Sequence, residues 1–256
     1  MPPSVRPHAL DWGYGQIAHD VGKAVFAVFP TQTGGATKAT EGSMGTAFAV
    51  SGDGLFLTAS HVLSEIENSM GDQNYELAVA RDPTGLNSAD IDTLVGGSVV
   101  QDFGQDADIA VLSFDVDDLT VFDHLQVRTG GGLDRMGQAV TAFGYPVNTF
   151  EEREWQLQRR TFSGVLSGIR NPSDEYGRYE TDMLFNPGLS GGPLISLAHA
   201  DVIGVVHGTN WRSQPLGQTV VDYPVHISEA MMVTDQANNL TRGPDLESLG
   251  IDYIGN

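Results

Sequence analysis

From residue 22 onward the chain is a succession of short apolar runs, and that pattern limits the folds open to it. GKAVFAVF (22–29), GTAFAVS (45–51), GLFLTAS (54–60), YELAVA (75–80), GSVVQDF (97–103) and DIAVLSF (108–114) form a first series. QAVTAFGY (138–145), WQLQRRTFSGVLSGI (155–169), YETDMLF (179–185), GPLISLA (192–198), DVIGVVHG (201–208) and QTVVDYPV (218–225) form a second. Gly, Asp, Asn or Pro separates most of them. Short strands at such spacing, punctuated by turn residues, predict an all-β sandwich or barrel. The 31 glycines spread along the chain favour strands and turns over long helices in the same way.

The two series divide the chain into halves, which suggests two similar β units with a cleft between them. The stretch DHLQVRTGGGLDR (123–135) is the candidate linker, because Gly130, Gly131 and Gly132 interrupt any regular element. The expected organisation is an N-terminal arm over 1–20, one β unit over 21–125, a second over 126–240, and an acidic tail over 241–256. The arm carries Pro2, Pro3 and Pro7 and has room for a short helix. SEAMMVTDQANNL (228–240) reads as a C-terminal helix with Ser228 as N-cap.

Bulk composition narrows the partners. At 256 residues, 40% hydrophobic and 18% charged, the chain can bury a sizeable core. A net charge of −20 repels phosphate backbones and anionic lipid, so neither nucleic acid nor a membrane surface is an expected partner. With no cysteine, a disulfide framework and thiolate metal sites are excluded. The N-terminal MPPSVRPHALDWGYG lacks an apolar leader region, and no run approaches the roughly 18 apolar residues of a membrane span. A cytoplasmic protein is the expectation from these features.

One stretch is unlike the rest. FNPGLSGGPLI (185–195) surrounds Ser190 with Gly188, Gly191 and Gly192 and with Pro187 and Pro193. Glycine is conformationally costly and proline removes a backbone donor, so a plain turn would not carry so many. Nucleophilic catalysis by serine needs a base, a carboxylate that orients the base, and donors for the oxyanion. His61 follows an apolar run in FLTASHVL, Asp108 opens one in QDADIAVLSF, and Ser190 comes last. Asp106 is a rival carboxylate without the Ile-Ala-Val run directly after it, and Asp102 is weaker still. His8, His19, His124, His199 and His226 read as surface or capping residues.

TASHV, ADIAVL and TDMLFNPGLSGGPLI resemble the trypsin-like (chymotrypsin-fold) serine peptidases, and most of all the bacterial Htr-type proteases. GTAFAVSGDGLFLTASHV, GQAVTAFGYP, TFSGVLSGI and DVIGVV support the likeness, which covers about residues 22–235. The resemblance implies two six-stranded antiparallel β-barrels and a polypeptide substrate, with no metal or organic cofactor. It makes His61 the general base, Asp108 the group that holds its tautomer, and Ser190 the nucleophile. The backbone amides of Gly188 and Ser190 would form the oxyanion hole, and Gly191 and Gly192 would leave room for substrate backbone.

The resemblance also places Leu184 at the base of the primary specificity pocket, with Phe185 beside it and Val206 and Thr209 on its wall. Such a pocket cannot pair a Lys or Arg side chain, so cleavage after small or medium apolar residues is expected. The alternative is that Phe185 fills the pocket and selectivity lies elsewhere. His207 falls where relatives have a serine contacting the triad carboxylate; it is either a partner of Asp108 or a buried histidine satisfied by backbone. Leu189 stands where digestive relatives have an Asp, so activation by an ion pair to a new N-terminus is not expected. No PDZ-sized segment follows residue 240, and loops 146–156 and 170–179 are the candidates for control, alone or through an activating protein partner.

Other readings compete. GLSGG also satisfies the nucleophile elbow of α/β-hydrolases, with Asp222 and His226 as later partners. That reading needs a helix directly after Ser190, which Gly191, Gly192 and Pro193 disfavour. A non-catalytic trypsin-like module that binds peptides or partners is the second. A processing enzyme with one dedicated substrate is the third.

Overall fold

The structure is a computed structural model. It describes residues 14–32, 45–81, 93–116, 123–128, 135–146, 159–170, 177–216, 219–232, 249, 251, 253 and 254. Helix α1 (Tyr14–Gly22) comes first, and Ile17 and Val21, one turn apart, bury its inner side. Then β1 (Val25–Gln32), β2 (Gly45–Ala49), β3 (Leu55–Thr58), β4 (Tyr75–Ala80), β5 (Thr93–Asp102) and β6 (Ala110–Ser113) close into a barrel. Its order is β1-β2-β3-β6-β5-β4, antiparallel throughout. Phe56 fills the barrel between Phe26 and Phe114, edge to face with both, at centroid distances of 5.1 and 5.4 Å. Each such pair adds about 0.5–1.5 kcal/mol beyond its burial.

The second barrel uses β8 (Ala139–Gly144), β9 (Arg160–Arg170), β10 (Arg178–Thr181), β11 (Pro193–Ser196), β12 (Asp201–Leu216) and β13 (Thr219–Met232). They run β11-β8-β9-β10-β13-β12, and the β11–β12 pairing closes the ring. Val140, Ala142, Leu166, Tyr179, Leu194, Val206 and Ala230 belong to its core. Two short strands, β7 (Val127–Arg128) and β14 (Tyr253–Ile254), extend the sheet in parallel beyond β12. Arg128 and Asp201 pin this edge with a buried two-pronged ion pair, both bonds 2.8 Å. Ile251, in the segment expected as an acidic tail, is 1% exposed and joins the first barrel's core cluster.

The expected pair of six-stranded antiparallel barrels is what the chain forms. The expected C-terminal helix needs correction. Ser228–Met232 is the last part of β13, laddered to β10 on one side and β12 on the other. A helix there would leave the facing backbone groups of both neighbours unpaired. Ser228 is therefore no N-cap; residues 233–240 lie outside the described residues. An unexpected helix, α2 (Ser60–Met70), follows β3, and the short α3 (Gly104–Ala107) follows β5.

Candidate active site

His61 is the second residue of α2. Ser60, Val62, Leu63, Ile66 and Met70 are buried, so α2 is seated on one side and its first turn is fixed. Ser60 adds a lock: its hydroxyl lies 2.6 Å from Asp102 Oδ1 and 2.9 Å from the Ile109 carbonyl. Asp102 Oδ1 also accepts the Gly104 amide at 2.8 Å. The rival carboxylate Asp102 thus braces the chain on either side of the site and does not face His61. Asp106 is exposed on α3.

Asp108 ends α3 in a left-handed conformation, φ 48° and ψ 41°, which Asp tolerates better than most residues. That turn sends its carboxylate back to α2. Oδ1 accepts the His61 backbone amide at 2.9 Å, and His61 Nδ1 lies 3.0 Å from Oδ1 and 2.8 Å from Oδ2. His207 Nδ1 approaches the same Oδ2 at 2.5 Å. Burial alone would raise the Asp108 pKa, but the bonds from His207 and His61 and the His61 charge outweigh it and hold it at about 2. Burial alone would lower His61, yet the hydrogen bond and charge of Asp108, with the Glu65 charge behind them, leave it above 6.5. His61, Asp108 and His207 also bring nitrogen and oxygen ligand atoms within 4.8 Å of one another.

Ser190 stands on a turn held from outside. Thr46, fully buried at the start of β2, donates its amide to the Ser190 carbonyl at 2.8 Å. Its hydroxyl donates to the Gly188 carbonyl at 2.7 Å and accepts the Tyr145 amide at 3.0 Å. The Thr46 carbonyl accepts the Thr58 hydroxyl at 2.8 Å. One residue of the first barrel therefore fixes two peptide planes of the second barrel's turn. Sequence reasoning misses it, because its partners lie 99 and 142 positions away and no local motif marks it.

Within the turn, the Leu189 amide bonds to Asn186, Gly191 to Val206 and Gly192 to Leu189. The amides of Gly188 and Ser190 have no acceptor among the described residues. Gly188 holds φ +93°, a region that L side chains rarely enter. At Gly191, φ is +84° and a Cβ would sit 2.1 Å from the Thr46 carbonyl oxygen. The space that Gly191 leaves is taken by the protein's own backbone rather than by substrate. The Ser190 hydroxyl donates to the His207 carbonyl at 3.0 Å, and no hydrogen bond joins it to His61.

Of the expected pocket residues, Leu184 is 51% exposed, while Phe185 and Val206 are buried. Thr209 Oγ1 lies 2.8 Å from Ser228 Oγ, and both hydroxyls reach the Phe185 amide. Ser228 is thus a neighbour of this region rather than the start of a helix. His19, His124 and His199 are exposed. His226 belongs to β13, and His8 lies outside the described residues. After Ser190 the chain runs into strand β11, so the strand–turn–helix of an α/β-hydrolase elbow is not formed. Most of loops 146–156 and 170–179 lies outside the described residues.

Comparison with known proteins agrees with this architecture. A family model described as the trypsin-like peptidase domain matches residues 45–205. The chain is 30% identical over 201 residues to the "Probable periplasmic serine endoprotease DegP-like" of Halomonas elongata, covering 77% of this chain and 35% of that protein. A protein of the same name from Pseudomonas fluorescens is 29% identical over 198 residues, with 76% and 35% covered. The chain thus spans about a third of the length of these relatives. The crystal structure of Deg5 superimposes with a TM-score of 0.58 at 20% identity, covering 76% of this chain and 83% of that one. That likeness concerns the fold.

These names correct the cytoplasmic location expected from the sequence, since the bacterial relatives are called periplasmic. Absence of cysteine fits an oxidising compartment as well as a reducing one, because such compartments permit disulfides without requiring them. The matched family model spans most of both barrels, from β2 to β12, and reaches every strand that positions His61, Asp108 and Ser190. This chain belongs to the trypsin-like peptidase family.

Proposed function

We propose that the chain is a serine endopeptidase that works outside the cytoplasm. His61 takes the Ser190 proton at Nε2 and later returns it to the leaving amine. Asp108 keeps the proton of the neutral ring on Nδ1 and stabilises the imidazolium once it forms. Ser190 Oγ attacks the substrate carbonyl and forms an acyl-enzyme, which water then hydrolyses. The amides of Gly188 and Ser190 receive the oxyanion. The observation that carries this reading is the Asp108 carboxylate, ionised and bound to both N–H groups of His61, in the same site as a turn with two amides that have no acceptor among the described residues.

For catalysis the Ser190 hydroxyl must leave the His207 carbonyl and turn to His61. Catalytic hydrogen bonds often tighten only when substrate is bound. The same observation favours a second reading, a conditionally active enzyme that needs a partner or substrate to free Ser190. His207 is the positioning residue for Asp108 in both.

Cleavage follows small or medium apolar residues in this proposal. Leu184, Phe185, Val206 and Thr209 carry no charge that could pair a basic side chain, and burying one unpaired is costly. The test is digestion of casein and of a peptide library, with products read by mass spectrometry and Ser190→Ala as control. Cuts present only with the wild type, after apolar residues, are expected. No cuts under any condition would contradict the peptidase reading, and cuts after Arg or Lys the pocket assignment.

A further inference from the structure

Two imidazoles converge on one carboxylate oxygen in this site, and only one of them, His61, is the general base of the proposed reaction. We propose that His61, Asp108 and His207 form an inhibitory site for a divalent transition-metal cation, with Zn(II) as the best match. Two histidine nitrogens and a carboxylate are a donor set that zinc takes readily, leaving a fourth position for water. The three ligand atoms already lie within 4.8 Å of one another. His61 Nδ1 and His207 Nδ1 both address Asp108 Oδ2, at 2.8 and 2.5 Å. Their rings meet edge to face at 76° with centroids 5.3 Å apart and do not stack.

The adjustment needed is small. Zinc bonds of about 2.0–2.2 Å put neighbouring ligand atoms of a tetrahedral site roughly 3.3 Å apart. Each ring must therefore withdraw from the carboxylate by less than about 1 Å, and the two imidazole nitrogens, at most 4.8 Å apart, must close on each other by up to about 1.5 Å. The side chains of His61 and His207 are 26% and 28% exposed, against 2% for Asp108. The rings can move toward solvent, and solvent supplies the fourth ligand, while the carboxylate stays fixed. A net charge of −20 concentrates cations around the molecule.

Binding would silence the site by changing a tautomer. A neutral imidazole carries one N–H. With Nδ1 on the metal, the His61 proton moves through water to Nε2, so the number of protons on the ring is unchanged. Nε2–H cannot accept the Ser190 proton, and general-base catalysis stops. The cation is an inhibitor here and not a cofactor. The inhibition rests on the peptidase reading; the binding does not.

Binding is tested without turnover, on the full chain carrying Ser190→Ala and stripped with EDTA. Calorimetric titration with zinc chloride should show one saturable site per chain, weakened at least tenfold by adding His207→Gln and likewise by His61→Gln. Magnesium, which prefers oxygen ligands, should give no such site. Long-range ¹H–¹⁵N spectra of the unsubstituted histidines should show the His61 proton moving from Nδ1 to Nε2 as zinc is added. Zinc affinity indifferent to both histidines, or no tautomer shift at saturation, overturns the proposal. If zinc binds and shifts the tautomer while wild-type protein cleaves nothing, the metal site stands and the peptidase reading falls.

Discussion

The two sides of the candidate site are built by opposite means. On the first-barrel side, side chains hold side chains: Asp108 grips His61 at two nitrogens, and Ser60 with Asp102 steadies the segments that carry them. On the second-barrel side, backbone holds backbone, in a glycine turn riveted at two carbonyls by Thr46. The first arrangement fixes a charge and a tautomer. The second fixes two amide directions and leaves the Ser190 hydroxyl free to bond the His207 carbonyl. In the proposed mechanism the base is thus ready before substrate arrives, and the hydroxyl is not.

The largest effect should come from cutting the side-chain arrangement. Asp108→Asn, which disturbs the His61 tautomer, should lower kcat/KM by about 10³–10⁴-fold. Asp102→Asn should cost about tenfold or less, since Asp102 braces Ser60 and the Gly104 amide and does not bond His61. Equal losses in the two variants would erase the distinction between them. The backbone side comes next. Gly188→Ala should lower kcat by about 10²–10³-fold with little change in KM, because a side chain at φ +93° rotates an oxyanion donor out of line. A kcat within threefold of wild type would show that this amide does not meet the oxyanion.

Thr46→Val tests whether the rivet belongs to both sides. It leaves the Gly188 carbonyl and the Tyr145 amide without their buried partner. Stability should fall by about 1–3 kcal/mol, read from denaturant melts, and kcat by about tenfold. Lost stability with unchanged kcat would make Thr46 a structural residue alone. The smallest effect is electrostatic. His61 must be neutral to act as base, so activity falls as pH drops through its pKa, and that acid limb should be centred above pH 6.5. Glu65→Gln removes a charge that favours the imidazolium and should move the limb down by a few tenths of a pH unit.

Much of this architecture is legible in the residues themselves. The apolar runs and their turn residues mark strands of both barrels, and TASHV, ADIAVL and GLSGG mark the three residues that the fold gathers. What escapes has physical reasons. Helix α2 carries its signal in the spacing of Val62, Leu63, Ile66 and Met70, but it begins inside the motif around His61, which hides its start. Ser228–Met232 reads as helical because SEAMM contains good helix formers. Two flanking strands with open backbone groups override such a preference. Thr46 leaves no trace in its own neighbourhood, since a threonine becomes a rivet only when distant carbonyls arrive beside it. His207 stands out as a candidate, but its approach to Asp108 depends on where strand β12 lies.

If the proposed mechanism holds, Ser190 is an activated nucleophile served by His61 and Asp108. Reaction with a fluorophosphonate probe, located by mass spectrometry, tests it most directly. A single adduct on Ser190 is expected, absent in Ser190→Ala and slowed by at least about 10³-fold in Asp108→Asn. An adduct formed equally fast without the carboxylate, or none on Ser190 even with peptide substrate present, would contradict the claim.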